Sequence, residues 1–131
     1  MIGLDTNVLA RFFAQDDPVQ SPKADRILKS LSQREPGWIP VATLLELVWV
    51  LSSKMQLDRK GITYILSQLL TREEIVLEQA PIVETAFRLF RMGNVDFADC
   101  LIAASAKAAG CTRTVTFDRR AARDTGMEWI G

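Results

Sequence analysis

A chain of 131 residues with 48% hydrophobic and 24% charged side chains is expected to form a single domain, 1–131, large enough to bury a core without disulfides and too apolar for disorder. Sixteen basic and sixteen acidic residues cancel, so any binding to nucleic acid or membrane must come from a local patch. The chain has no His, which excludes Ser-His-Asp triads, Cys-His pairs and the usual zinc hydrolases, and leaves carboxylates to carry any catalysis.

In chain order, residues 2–4 form a short apolar strand ending at Asp5, an acid where the run otherwise looks like core. A buried acid costs several kcal/mol unless something pairs with it, so Asp5 either caps a helix or holds something. Val8, Leu9, Phe12 and Phe13 then recur at helical spacing. A second helix fits "SPKADRILKSLSQREPG", with Ser21 as N-cap, Pro22 at the first helical position and Pro36-Gly37 as the stop. A short strand around Trp38 and Ile39 precedes a helix from about Val41 to Lys54 that has almost no polar face, which points to a core helix partly covered by a partner and suggests a homodimer.

Asp58 caps the next helix, "EIVLE" reads as a strand, and Pro81 starts a helix running to about Met92, where Gly93-Asn94 ends it. A helix from about Phe97 to Ala109 with Gly110 as its cap is followed by the strand "TRTVTF", a short helix opened by Asp118, and a last strand, "MEWI". Cys100 and Cys111 read as small apolar fillers. Strands alternating with crossover helices give an α/β fold with a parallel sheet covered on both faces, a three-layer α/β/α sandwich of about five strands. The start lacks a signal-peptide pattern and no apolar run is long enough to span a bilayer, so no membrane association is expected and the chain is read as cytoplasmic.

Four acids fall near strand ends or helix starts, where ligands of parallel sheets bind: Asp5, Glu46, Asp99 and Asp118. Each has a structural explanation. Thr43-x-x-Glu46 matches a capping box, Asp96 and Asp99 suit the positive end of a helix dipole, and Asp118 is a natural N-cap. Jointly they argue otherwise, because two unit charges about 4 Å apart repel by roughly 4 kcal/mol at an effective dielectric near 20. A divalent cation such as Mg²⁺ or Mn²⁺, which takes hard oxygen ligands, would justify gathering them.

"LDTNVL", Glu46 within "TLLELVWVL", "DFADCLIAA" and "TFDRRAAR" together resemble the PIN domain, a family of metal-dependent ribonucleases, and more closely its VapC toxins of bacterial toxin–antitoxin pairs. The resemblance covers nearly the whole chain. It implies that Asp5, Glu46 and Asp99 are the three core acids and Asp118 the fourth, with Asp5 and Asp99 as metal ligands. Thr6 and Asn7 look like the residues that orient the first carboxylate, and Thr116 matches a hydroxyl found two positions before the fourth acid. Asp96 is either a supporting residue or the helix N-cap. The resemblance further implies an RNA substrate, a small VapB-type antitoxin as partner, and a homodimer.

The implied chemistry is metal-assisted hydrolysis of an RNA phosphodiester, with no amino-acid nucleophile. Crowded carboxylates should not all stay ionised without metal, so activity is expected to fall with acid as well as with chelation. Arg11, Arg119, Arg120 and Arg123 are candidates to hold flanking phosphates, although each also fits a solvated helix face. Three rivals remain. An Asp-based phosphohydrolase of the haloacid dehalogenase type would carry Asp-x-Asp where this chain has Asn7, and a receiver domain needs adjacent acids and a late Lys that are missing. The third is a catalytically silent PIN-like module that binds RNA or protein.

Overall fold

Short β-type runs bounded by Pro, Gly and acidic residues leave room for strands of only two or three residues, and the helices between them do most of the covering. The computed structural model describes all residues, 1–131, as two compact units, Met1–Glu78 and Gln79–Gly131.

The first unit runs β1 (Ile2–Gly3), α1 (Thr6–Ala14), α2 (Gln20–Ser30), β2 (Gly37–Ile39), α3 (Val41–Ser53), α4 (Arg59–Thr71) and β3 (Ile75–Leu77). Its sheet has the order β1-β2-β3, all parallel, with Ile2 beside Gly37 and Gly37 beside Ile75. Each crossover is a pair of helices, the length parallel neighbours require. Gly37 matters to this packing, because a Cβ there would come within 2.8 Å of the methyls of both Leu4 and Leu31. Helix α1 packs against α2 and α3. On α3, Leu44, Leu47, Val48 and Leu51 are buried while Leu45, Glu46 and Trp49 are exposed.

Local sequence explains some helix ends. The Asp58 carboxylate accepts the Gly61 N–H at 2.8 Å and caps α4. The predicted cap of α2 needs correction: Ser21 lies inside the helix, buried, donating its hydroxyl to the Arg11 carbonyl, and Asp17 instead accepts the N–H groups of Val19 and Gln20. The capping box at Thr43 is also absent. Helix α3 starts three residues earlier than that box requires, Thr43 is buried, and Glu78, just after β3, accepts the Val41 N–H at 2.9 Å.

The second unit runs α5 (Ala80–Met92), α6 (Phe97–Ala108), β4 (Val115–Thr116), α7 (Arg119–Thr125) and β5 (Glu128–Trp129). Helices α5 and α6 pack together, with the Phe90 and Phe97 rings edge to face at 5.7 Å. Strands β4 and β5 pair in parallel. Gly110, at φ 90°, follows α6 in the left-handed conformation a helix end favours. Cys100 is buried, as a filler should be, but Cys111 is exposed. The α/β class and five parallel strands match the sequence expectation; the strands divide into a sheet of three and a sheet of two. Such short strands carry no periodicity from which partners can be read.

Candidate active site

In the first unit the chain leaves β1 through Leu4, which is buried, and turns at Asp5, which is exposed. Asp5 is therefore not a buried acid interrupting a core run. It occupies the N-cap of α1 with an extended backbone, yet its carboxylate makes no capping hydrogen bond. Thr6, next to it, is buried, and its hydroxyl donates to the Glu46 carboxylate on α3. The local "DTN" thus holds Glu46, forty positions away, rather than Asp5. Asn7 is exposed and with Arg11 lines a groove of ≈ 250 Å³ along α1 and α2. The Arg11 guanidinium is engaged by Gln20 at 2.8 Å and Asp16 at 3.1 Å, which leaves less of it for phosphate.

The second unit has a cleft of ≈ 830 Å³. Asp96, Asp99 and Asp118 line it together with Arg119, Arg120 and Arg123. Asp99 is half-buried in the first turn of α6, and partial burial, then the charges of Asp96 and Asp118, push its carboxyl above the usual range. Asp96 precedes α6 at the N-cap position but makes no capping bond. Asp118 does cap: one oxygen accepts from the N–H groups of Arg120 and Ala121, and its own N–H donates to the Thr116 hydroxyl at 3.0 Å. Thr116 fixes the backbone from which that carboxylate projects. The Arg119 guanidinium lies over the Trp129 ring, and Arg123 pairs with Asp124 at 2.9 Å.

All donors here are carboxylate oxygens, the hard ligands that Mg²⁺ and Mn²⁺ take, and Asp99 with its two acidic neighbours carries a repulsion that such a cation removes. Neither unit gathers three or more acids or cysteines into a ready metal cage. Mg²⁺ needs only one or two carboxylates and keeps several waters, so the donor set suits it.

A sequence model of the PIN domain matches residues 2–125, which spans both units and every acid named above. This chain belongs to the PIN domain family. Among curated proteins, this PIN chain is similar to a VapC ribonuclease of Aquifex aeolicus (strain VF5), 29% identical over 119 residues, 89% of this chain and 87% of that protein. Among solved structures it matches the crystal structure of Mycobacterium tuberculosis VapC20, described as a toxin that cleaves the sarcin–ricin loop, with 16% identity, a TM-score of 0.49 and 94% of each chain covered.

Sequence reading missed Glu78, Asp17, Phe117 and Trp129. An acid directly after an apolar strand, as in "IVLE", is a signal that could have found Glu78; Phe117 is the sequence neighbour of Asp118, whereas Trp129 comes to the same cleft only once β4 and β5 pair.

Proposed function

We propose that this PIN-domain chain is a metal-dependent endoribonuclease, the VapC-type toxin of a toxin–antitoxin pair. The observation that carries the reading is the charge arrangement of the second unit's cleft. Partial burial and the acids Asp96 and Asp118 act on Asp99, and the guanidiniums of Arg119 and Arg120 line the same cavity. The family membership and the curated relative support the same reading.

Asp5 and Asp99, with Glu46 and Asp118, would hold Mg²⁺ or Mn²⁺, which when bound acidifies a water and stabilises charge on the scissile phosphate. Thr6 orients Glu46 through its hydroxyl, and Thr116 sets the backbone N–H of Asp118. Arg119 and Arg120 take phosphates of the RNA backbone, with Arg123 and Arg11 drawn away by their acidic neighbours. A small VapB-type antitoxin fills the groove when the toxin is silent, and the chain works as a homodimer through the exposed Leu45 and Trp49 of α3. No helix is long and apolar enough to cross a membrane, and cytoplasmic RNA is the substrate pool we assign.

The test is direct. EDTA abolishes cleavage of RNA by the pure chain, added Mg²⁺ or Mn²⁺ restores it, and Asp5→Asn and Asp99→Asn each remove it while circular dichroism stays native. Chelator-resistant cleavage, or an Asp99→Asn variant that still cuts, overturns the mechanism; RNA binding without turnover in Mn²⁺ returns the chain to a silent binding module.

A further inference from the structure

Phe117 is the aromatic that hydrolysis alone does not explain. It stands between Thr116 and Asp118, it lines the same cleft as Asp99, and it is 77% exposed. An exposed phenyl ring forgoes the burial that normally decides where Phe sits. Its backbone is nevertheless pinned on both sides. The Phe117 carbonyl accepts the Trp129 indole N–H at 3.1 Å, and the next N–H, that of Asp118, donates to Thr116. The ring is thus presented to the cleft from a fixed strand end. Beside it, the Arg119 guanidinium lies 3.9 Å from the centroid of the Trp129 ring. Stacked in that way, Arg119 keeps its in-plane N–H groups free for an anion.

We propose that Phe117 stacks an unpaired nucleobase of a single-stranded or looped RNA segment, while the Arg119–Trp129 stack and Arg120 hold the adjoining phosphates. The substrate class follows from the chemistry. A nucleotide repeats one π-face and one anionic phosphate, and this cleft offers a bare ring beside stacked and free guanidiniums. In a duplex both faces of each base are already covered, whereas a loop can splay a base onto an aromatic platform. This assignment rests on the nuclease reading for the reaction it serves, but base stacking itself needs no turnover.

The experiment measures binding of the full chain to a short single-stranded oligoribonucleotide carrying 2-aminopurine, in EDTA so that nothing is cut, and separately cleavage in Mn²⁺. The wild type quenches the probe. Phe117→Ala and Phe117→Leu, both folded by circular dichroism, bind roughly five- to hundredfold more weakly without quenching, and Phe117→Tyr and Phe117→Trp restore it. A blunt RNA duplex binds wild type and Phe117→Ala alike. Affinity and quenching unchanged in Phe117→Ala overturn the assignment. So does a Phe117→Ala variant that keeps its RNA affinity but loses a bound antitoxin protein, which makes the ring a protein-docking residue. Cleavage by the wild type that Phe117→Ala preserves undiminished sinks the stacking role and leaves the nuclease reading standing. Quenching without any cleavage retires the nuclease reading and keeps the stacking role.

Discussion

Thr6 is 4% exposed, and its hydroxyl donates to an exposed carboxylate, that of Glu46. A hydrogen bond to a charged group contributes about 1.5–3 kcal/mol, and here it also fixes the direction in which Glu46 points. Thr6→Val, nearly the same shape without the hydroxyl, is therefore expected to leave the fold intact and lower kcat about tenfold or more, with Thr6→Ser retaining most activity. Equal kcat in Thr6→Val, measured at saturating RNA, would show that Glu46 needs no orienting. The motif "DTN" announced from the sequence that polar residues attend the first acid; which acid the hydroxyl serves was hidden, because a contact across forty positions leaves no local trace. Asp5 shows the converse. Its apolar neighbours suggested burial, but the chain turns outward one residue after Leu4, and the carboxylate is exposed.

Helix α7 has seven residues and depends on its cap, so Asp118 carries two duties that substitution can separate. Asn caps as well as Asp does, whereas Ala does not. Asp118→Asn should keep the melting temperature and lose cleavage; Asp118→Ala should lose both, at a stability cost of about 1 kcal/mol by denaturant titration. An Asp118→Asn variant with full activity would reduce this acid to its capping role. Close by, the Asp124 carboxylate accepts from Arg123 and from the Asn94 N–H, and it reaches the latter because Gly93 has no Cβ to obstruct it. The Arg123 hydrogen bond, then the Asn94 N–H, hold Asp124 below the usual carboxylate range. A depressed carboxyl stabilises fully above its unfolded value and loses that contribution as pH falls through the folded one. Asp124→Asn is thus expected to lower the melting temperature at neutral pH and to converge with wild type in acid; a gap independent of pH would refute the linkage. Caps whose partners lie within one turn, at Asp58 and Asp118, were legible in the sequence. Those of α2 and α3 were not, since Asp17 competes with a better-looking Ser21, and Glu78 arrives from another strand.

Across the whole molecule, the acids divide between two compact units, Asp5 and Glu46 in the first, Asp99 and Asp118 in the second, while one family pattern runs through both. The helices and the class of fold were readable because amphipathic periodicity extends over ten or more residues; the partition of five strands into two sheets was not, because two-residue strands carry no pattern. The sequence proposed the acids as a set only through their order along the chain. Whether they share a metal can be tested without measuring cleavage. A ligand that binds only the folded chain raises stability by RT ln(1 + [L]/Kd), about 2.7 kcal/mol at a hundredfold excess over Kd. Mn²⁺ is therefore expected to raise the melting temperature, and Ca²⁺ or EDTA controls separate this from ionic strength. If Asp5 and Asp99 are both ligands, Asp5→Asn and Asp99→Asn each abolish the rise, although they lie in different units. Asp99→Asn carries a further signature: relieved of the partial burial of a charge and then of the repulsion from Asp96 and Asp118, the metal-free variant should be more stable than the metal-free wild type near neutral pH. A rise that survives either substitution in full removes that residue from the metal.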